Sequence, residues 1–460
     1  MKIKNLNIVI LAAGQGKRMF SDLPKILHNV GNKPILQHVI EVALKLQPSK
    51  LIIVYGHKAE RVKEKMDNTF VNNNFIWVLQ DKQLGTGHAL KCALPFLDND
   101  GVTLVLYGDV PLITEESLTK MLDKYNENLV MLVAEVVNPE GYGRIIRNKH
   151  SEIIGIVEEK DATANEKSIK EINTGFYLLP NKYITKWLNS LTNNNSQNEY
   201  YITDIIGKAF NEGVNIDYVK STKQSEILGI NNKNQLEQIE RLLQIKKADR
   251  LLEDGVTLLD KSRLDIRGNL SAGKNCIIDI NCIFEGDVQL GDDVAIGASC
   301  ILKNVIVHNG VEIKPFSIIE EAEIGINSKI GPFARIRPST KLAENVHIGN
   351  FVEVKNSKIA ANSKANHLTY IGDSEIGSQV NIGAGSVTCN YDGKDKFKTI
   401  IEDNVFVGSG TMMVAPVVLH KGGVIGAGST ITKDTPKDEL TVARAKQLTI
   451  VGWLKRKRKI

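Results

Sequence analysis

The chain has 460 residues, a length that predicts more than one domain, because single hydrophobic cores stop growing at about 250–300 residues. Hydrophobic residues make up 42% and charged residues 24%, and no apolar run approaches the ~20 residues that a membrane span requires. The five cysteines are widely spaced without a CxxC pair, so we expect neither disulfides nor a thiolate zinc site, and a cytoplasmic location. The net charge of +5 owes much to the tail Lys455–Lys459, which we interpret as a solvated end rather than a nucleic-acid contact.

Up to about residue 230, strand-like apolar runs alternate with helix-like polar stretches. The runs are Ile8–Leu11, Leu51–Val54, Val102–Tyr107 and Val130–Val133. This alternation predicts βαβ units, and hence an α/β domain with a mostly parallel sheet over residues 1–231. Residues 232–254 carry leucine and isoleucine at helical spacing without glycine or proline, which predicts a connecting helix.

The remainder, residues 255–460, has a six-residue period. Three series of apolar residues show it: Leu290, Ile296 and Leu302; Ile324, Ile330, Ile336, Leu342, Ile348 and Val354; Val407, Met413, Leu419, Ile425 and Ile431. In a helix this spacing would scatter the side chains over three directions, whereas in extended chain it returns them to one face. Small or turn-forming residues follow many of these positions, so the period predicts a parallel β-helix of hexapeptide repeats.

Two segments depart from this pattern. We expect NHLTYIGD, Asn366–Asp373, to break the register of the coils between Val354 and Ile382. We expect TCNYDGKDKFKT, Thr388–Thr399, to project as a loop, because it is polar and out of phase with the repeat. A regular repeat alone indicates a scaffold. We therefore expect a functional site at these two interruptions.

The first predicted strand leads into a glycine turn with basic residues nearby. Gly14 and Gly16 would allow backbone N–H groups to approach a phosphate, while Arg18 and Lys25 supply positive charge. The spacing matches neither the Walker motif nor the dinucleotide fingerprint. The third strand ends at Asp109, a candidate Mg²⁺ ligand, because parallel sheets bind ligands at the carboxyl ends of their strands.

The string LAAGxGxRM followed by PK resembles the signature of the sugar-1-phosphate nucleotidylyltransferases. Lys17 stands where these enzymes commonly have threonine, which leaves the role of that hydroxyl open. The resemblance implies a Rossmann-like nucleotidyltransferase domain in which a sugar phosphate attacks the α-phosphorus of a nucleotide and displaces pyrophosphate, with Lys25, Arg18 and Mg²⁺ stabilising the charge.

Further strings, in the same order along nearly the whole chain, are similar to those of the bifunctional enzymes that acetylate glucosamine 1-phosphate and then transfer UMP from UTP to N-acetylglucosamine 1-phosphate. They are LQDKQLGTGHA, GYGR, IVEEKDAT, EINTG and GINN. The resemblance implies Asp109 and Asn231 as metal ligands and a product used in peptidoglycan and lipopolysaccharide synthesis. It implies a nucleotide and sugar-phosphate site made of Leu11, Ala12, Ala13, Gly14, Lys25, Gln80, Gly85, Thr86, Tyr107, Gly108, Asp109, Gly143, Glu158, Asn173 and Asn231.

An acetyl transfer to an amine needs a base, and the neutral imidazole of His367 in NHLTYIGD is our candidate. SKANHLTYIGD, FARIRP, VEVKN, VNIGAG and TCNYDG resemble motifs of the same bifunctional family, which implies a left-handed β-helix, homotrimers with acetyltransfer sites between β-helices, and two residue sets. The amino-sugar set is Arg337, Lys355, Tyr370, Asn381, Asn390 and Tyr391, and the acetyl-CoA set is Ala384, Ser409, Ala427 and Arg444. Whether the loop residue Lys396 meets a phosphate of coenzyme A stays open.

Two other functions remain as alternatives. A nucleotidylyltransferase with one activity and a structural or regulatory β-helix explains LAAGxGxRM equally well, but not His367 or the loop Thr388–Thr399. A noncatalytic binding protein that kept the folds is disfavoured, because the candidate functional residues are all present: Asp109, Asn231, Lys25 and His367. Product formation from each substrate pair separates the three.

Overall fold

The structure, a computed structural model, describes Ile3 and residues 5–56 and 59–456. The chain forms two compact units, Met1–Leu243 and Gln244–Ile460. The division falls within a helix, Lys233–Glu253, so the domain boundaries at 231 and 254 remain a proposal. Residues 457–459 of the basic tail lie outside the described part of the chain.

The first unit alternates strands with helices, as the sequence predicts. Its strands are β1 (Leu6–Ala12), β2 (Asn29–Val30), β3 (Lys33–Pro34), β4 (Lys50–Tyr55), β5 (Ile76–Leu79), β6 (Val102–Tyr107), β7 (Leu129–Glu135), β8 (Arg144–Arg147), β9 (Ile153–Val157), β10 (Glu171–Pro180) and β11 (Ile216–Ser221). Its helices are α1 (Ile35–Lys45), α2 (Ala59–Thr69), α3 (Thr86–Ala93), α4 (Glu115–Asp123), α5 (Ala164–Lys167), α6 (Asn181–Asn189), α7 (Asp204–Asn211) and α8 (Lys233–Glu253). All four predicted strands are confirmed.

Nine of these strands form one sheet with the order β11-β7-β10-β6-β1-β4-β5, in which β8 pairs with β10 and β9 pairs with β8, whereas β2 and β3 form a separate antiparallel pair. The pairs β1–β4, β1–β6, β4–β5 and β7–β11 are parallel, whereas β10 runs antiparallel to β6 and β7. Side chains of β1 alternate between two hydrophobic cores, Ile8 and Ile10 on one face and Val9 and Leu11 on the other. Both faces of the sheet are therefore covered, which directs the ligand site to the strand ends.

The second unit is a left-handed parallel β-helix of short strands, as predicted. They are Thr257–Leu258, Leu264–Ala272, Ile277–Ile278, Cys282–Leu290, Ala295–Ile296, Ile301–Val307, Glu312–Ile313, Ile318–Glu320, Ala322–Ile324, Lys329–Ile330, Arg335–Ile336, Thr340–Leu342, His347–Asn350, Glu353–Lys355, Lys358–Ile359, Lys364–His367, Tyr370–Gly372, Ser374–Ile376, Asn381–Ile382, Val387–Cys389, Thr399–Ile401, Phe406–Val407, Met412–Val414, Val417–Leu419, Val424–Ile425, Thr430–Ile431 and Leu440–Thr441. A short helix, Trp453–Arg456, follows.

Mostly apolar residues of successive coils stack in register along three faces of the β-helix. The first face stacks Ile278, Ile296, Ile313, Ile330, Ile348, Ala365, Ile382, Val407 and Ile425. The second stacks Phe284, Leu302, Ile319, Ile336, Val354, Ile371, Thr388, Met413 and Ile431, and the third Leu290, Val307, Ile324, Leu342, Ile359, Ile376, Ile401 and Leu419. Each coil thus packs against its neighbours through identical positions.

The prediction that NHLTYIGD breaks the register is wrong. Ala365 and Ile371 keep the six-residue step and pair with Ile348 and Val354 of the preceding coil. The spacing from Val354 to Ile382 falls short because two steps between the second and third faces contain five residues. The same short step occurs in other coils, because the turn between these two faces closes with one residue fewer.

The second predicted interruption is confirmed. The step between the second and third faces lengthens between Thr388 and Ile401, and the added residues leave the coil as a loop held by a bridge between Tyr391 and Lys396. The coils on either side remain in register. Among the described residues, no helix is both long enough and apolar enough to cross a membrane.

Candidate functional site

A cavity of about 540 Å³ opens at the carboxyl ends of β1 and β6. Ten of the residues expected at the nucleotide and sugar-phosphate site line it: Leu11, Ala12, Ala13, Gly14, Lys25, Gln80, Gly85, Thr86, Tyr107 and Asp109. They come from four separate segments of the chain, which the sheet order brings to one edge. Gly16 adopts a φ of +62°, and a β-carbon there would lie 2.7 Å from Lys25 Cβ, so glycine lets the turn and the lysine approach closely.

Lys25 connects two of the expected ligands. Its Nζ lies 2.5 Å from Asp109 Oδ2 and 3.2 Å from Asn231 Oδ1. Lys25 is buried, with 8% of its surface exposed, so these oxygens compensate an ammonium group that has lost most of its water. Asn231 is fixed in turn, because its backbone N–H donates to the side chain of Gln235 in α8.

The oxygens of Asp109 and Asn231 converge on a cation, which is the donor chemistry that Mg²⁺ prefers. Within the described residues, no cluster of three acidic, histidine or cysteine side chains could hold a metal on its own. A cation bound here would thus take two protein oxygens and fill its other positions with phosphate oxygens or water. The residues present fit that type of site.

The two basic residues of the glycine turn differ in position. Lys17 lines the cavity, whereas Arg18 is exposed and does not belong to its lining. Lys17, the residue that departs from the family signature, is therefore the one of the two that faces the cavity. Gly108 lies between two lining residues, where a β-carbon would approach Ala12 Cβ to 2.9 Å.

The residues expected to contact the sugar meet at the antiparallel end of the sheet. The N–H of Asn173 donates to the carbonyl of Gly143 over 2.8 Å, and a β-carbon on Gly143 would lie 3.5 Å from Glu158 Oε2. Glu158 accepts a hydrogen bond of 3.0 Å from Thr203 Oγ1. Burial raises the pKa of the Glu158 carboxyl, with smaller contributions from neighbouring acidic groups.

In the second unit, His367 belongs to a column of residues at the corner between the first and second faces. Successive coils place Asn350, His367, Ala384, Ser409 and Ala427 above one another, linked by backbone hydrogen bonds. Arg444 reaches this column and donates to the carbonyl of Ala427 over 2.6 Å. The candidate base and all four residues expected at acetyl-CoA are thus brought together.

The imidazole of His367 is exposed and oriented by a neighbour that the sequence analysis missed. His367 Nδ1 lies 2.7 Å from Asn350 Oδ1. An amide oxygen can only accept, so the proton of the neutral ring is on Nδ1 and the lone pair is on Nε2. The 17-residue separation, one coil of the β-helix, is the signal that could have identified Asn350.

Most residues expected at the amino sugar lie on the second face and the edge that follows it. Lys355 Nζ lies 3.3 Å from Asp373 Oδ2, an oxygen that also accepts from Asn390 Nδ2. Burial opposes ionisation of Asp373, yet the hydrogen bonds from Asn356, Asn390 and Lys355 lower its pKa below the usual value. Asp373, another residue missed in the sequence, therefore connects Lys355 with the base of the projecting loop.

The remaining residues of this set have different surroundings. Arg337 donates to Glu353 over 2.8 Å, and Glu353 pairs in register with Tyr370. Tyr391 is exposed in the loop, with its hydroxyl bonded to the carbonyl of Gly393. The structure does not place Asn381 with this group, since it pairs with Lys364 and Phe406 on the first face.

The fold and the two sites define a two-part transferase, with a nucleotide site on a mostly parallel sheet and an acyl-transfer type of site on a hexapeptide β-helix. The model of the nucleotidyl transferase family matches residues 7–247, and that of the GMPPB C-terminal domain matches residues 266–350. The chain belongs to the nucleotidyl transferase family and, within it, to the bifunctional proteins called GlmU.

Curated relatives of that name match almost from end to end. The chain is 54% identical to Bifunctional protein GlmU of Nitrosospira multiformis, over 98% of both chains. It is 53% identical to that of Chromobacterium violaceum over 99% of both, and 52% identical to that of Cupriavidus pinatubonensis over 97% of this chain and 98% of the relative. The family identified from the sequence motifs is confirmed.

Proposed function

We propose that the chain makes UDP-N-acetylglucosamine by two transfers. The β-helix unit moves an acetyl group from acetyl-CoA to glucosamine 1-phosphate, and the nucleotidyltransferase unit moves UMP from UTP to the resulting N-acetylglucosamine 1-phosphate. The observation that carries the proposal is that each unit gathers, from distant segments, the groups that one of these reactions requires. Lys25, Asp109 and Asn231 meet in one unit, and His367 joins the expected acetyl-CoA residues in the other.

In the first unit, the reaction needs charge neutralisation and alignment more than a protein nucleophile. The triphosphate would lie on the glycine turn after β1, with Lys25 and Lys17 facing it from the cavity wall. The sugar would bind beside Gly143, Glu158 and Asn173, directing its phosphate oxygen towards the α-phosphorus. That oxygen forms the new P–O bond while the bond to pyrophosphate breaks, and the leaving group carries the negative charge away.

Mg²⁺ is the proposed metal, held by Asp109 Oδ2 and Asn231 Oδ1. When bound, it neutralises phosphate oxygens and increases the electrophilicity of the phosphorus. The ammonium of Lys25 compensates both oxygens, at 2.5 and 3.2 Å. With a metal on those oxygens, Lys25 would be able to pair with the phosphates.

In the second unit, Nε2 of His367 takes a proton from the amino group of glucosamine 1-phosphate as nitrogen attacks the thioester carbonyl. Collapse of the tetrahedral intermediate breaks the C–S bond, and the leaving thiolate of coenzyme A takes the proton from His367 Nε2. The small side chains of the column Ala384, Ser409 and Ala427 would leave room beside His367 for the thioester arm, and Arg444 contacts Ala427 at one end.

The cations of the second face suit the phosphate of the amino sugar. Lys355 is joined to Asp373, which keeps its ammonium in one position. The loop bridge between Tyr391 and Lys396 places Lys396 near Asn390, at the base of the loop. This position supports a role of Lys396 at the amino sugar rather than at acetyl-CoA.

Product analysis by mass tests the proposal directly. With glucosamine 1-phosphate, acetyl-CoA, UTP and Mg²⁺, we expect UDP-N-acetylglucosamine, pyrophosphate and free coenzyme A. Each half can be run alone, since the thiol reports acetyl transfer and pyrophosphate reports uridylyl transfer. Pyrophosphate without thiol would favour the single-activity alternative, and neither product would favour the noncatalytic one.

We also propose that the chain acts as a homotrimer in the cytoplasm, which its five free cysteines suit. Trimer formation is supported by an exposed column, Phe316, Phe333, Phe351 and Leu368, here called the aromatic column. Each residue adopts the left-handed backbone region, with φ between 49° and 62°, and 47–62% of its surface is exposed. This conformation costs about 1–2 kcal/mol per residue, and the other corners of the β-helix mostly use asparagine, aspartate or glycine there. A second copy of the chain that covers the column would compensate the conformational cost and would bury the exposed apolar side chains.

Removing the aromatic column should separate the subunits without unfolding them. Asparagine tolerates the left-handed conformation, so we expect the double variant Phe333→Asn, Phe351→Asn to fold and to sediment as a monomer. Phe351 and Leu368 directly follow Asn350 and His367, so acetyl transfer should also be lost while uridylyl transfer persists. Ile277→Asn, at an exposed apolar residue outside the column, is the matched control. A trimeric double variant, or a fully active monomer, would contradict this role.

A further inference from the structure

The side-chain amide of Gln80 in the nucleotide cavity is held in one orientation. Gln80 is only 3% exposed, and its Nε2 donates to the carbonyl of Gly85 over 3.1 Å and lies 3.0 Å from His88 Nδ1. A carbonyl oxygen can only accept, so the amide nitrogen must face Gly85. Both N–H groups are then used within the protein.

The opposite atom of that amide is left for a ligand. Gln80 Oε1 receives no hydrogen bond from any residue in the described part of the chain, although Gln80 lines the cavity. The oxygen is accessible from the cavity, so a ligand N–H can donate to it in place of water. The cavity therefore presents a fixed acceptor at this wall.

His88, in the first turns of α3, supplies the second anchor. An amide nitrogen can only donate, so His88 Nδ1, which faces Gln80 Nε2, must accept. The single proton of the neutral ring is therefore on Nε2. Burial, and then the charge of Lys91, lower the pKa of His88, which keeps the ring neutral near pH 7.

We propose that His88 is a positioning residue that selects the nucleobase, by fixing Gln80 so that its oxygen meets the N3–H of uracil. This rests on the proposed uridylyl transfer. Cytosine has a lone pair at N3, which would face the lone pairs of Oε1. To accept cytosine, the side-chain amide of Gln80 would have to rotate by 180°. Its oxygen would then face two other acceptors, the carbonyl of Gly85 and the lone pair of His88 Nδ1, and would be repelled by both. A site built around one hydrogen bond rejects the ligand that leaves it unpaired.

Substitution of His88 should therefore change selectivity more than activity. With N-acetylglucosamine 1-phosphate and Mg²⁺, the ratio of kcat/KM for UTP over CTP should fall about tenfold in His88→Phe, the effect of losing one anchor of a buried amide. His88→Asn retains an acceptor oxygen and should keep most of the ratio. Lys91→Arg, on the exposed side of the same helix, keeps the positive charge near His88 and is the control, which should keep all of it.

The outcomes separate this inference from the proposed function. A wild-type protein that releases no pyrophosphate from UTP would refute the uridylyl transfer itself. If the wild type prefers UTP but His88→Phe keeps the same ratio, only the positioning role of His88 is wrong. Equal losses with UTP and CTP would also refute it, because a merely structural role lowers both rates without changing their ratio.

Discussion

Replacing His367 with alanine is expected to lower kcat/KM for acetyl transfer by roughly 10²–10⁴-fold, the usual contribution of a general base, and to leave uridylyl transfer unchanged. The reason is geometric. The hydrogen bond of 2.7 Å to Asn350 places the ring proton on Nδ1 and leaves Nε2 as the basic atom. The side chain is exposed at a corner, so its removal creates no cavity in the core. Thiol release from acetyl-CoA measures the loss, and pyrophosphate release measures the control activity.

Asn350 provides the matched variant for this prediction. Asn350→Ala keeps the imidazole but removes the acceptor that fixes its tautomer, so acetyl transfer should fall by about tenfold, far less than in His367→Ala. Near wild-type acetyl transfer in a folded His367→Ala protein would refute the general-base assignment. A larger loss from Asn350→Ala than from His367→Ala would indicate that the asparagine contacts the substrate itself.

The largest effect on the other unit is expected from Asp109→Ala. Uridylyl transfer should fall by roughly 10²–10³-fold, because the substitution removes one of two metal-ligand oxygens and the partner of the buried Lys25 ammonium. Acetyl transfer should persist, since none of its candidate residues comes from the first unit. Pyrophosphate release at saturating Mg²⁺ measures the first effect, and thiol release the second.

Asp98→Ala is the matched control for Asp109. Asp98 pairs with Lys50 over 2.6 Å, a separation close to that of the Asp109 pair, but it is more exposed and lies outside the cavity lining. It should change neither activity, since partly exposed ion pairs contribute about 0–1 kcal/mol. Loss of both activities in a folded Asp109→Ala protein would contradict two independent sites.

The sequence predicted the two folds because each has a strong period. Runs such as Val102–Tyr107 are apolar throughout, as strands covered on both faces of a sheet must be, and all four runs are strands. The six-residue series predicted the faces of the β-helix correctly. The five-residue steps, such as Val354 to Ile359, were misread because a missing residue at a turn resembles a broken strand until the partners of both strands are known.

The sequence likewise predicted some of the site residues and missed others. Lys25 and Asp109 were predicted from local chemistry and indeed meet, although 84 positions separate them. Asn350, Asp373 and His88 were missed because each acts through another side chain, and such contacts follow from stacking or helix geometry rather than from a motif. Sequence periodicity also concealed the aromatic column, whose members stand at turn positions where the repeat predicts only small or polar residues.

The edge between the second and third faces of the β-helix has a further consequence. The step along the chain across this edge varies from five residues, between Val354 and Ile359, to thirteen, between Thr388 and Ile401. The strands of the neighbouring coils nevertheless stay in register. Hydrogen bonds between the strands of neighbouring coils stabilise the β-helix, so its stability does not depend on the length of these connections. The edge is accordingly a natural insertion point, where peptides of foreign sequence can be grafted and new binding loops acquired without redesign of the core.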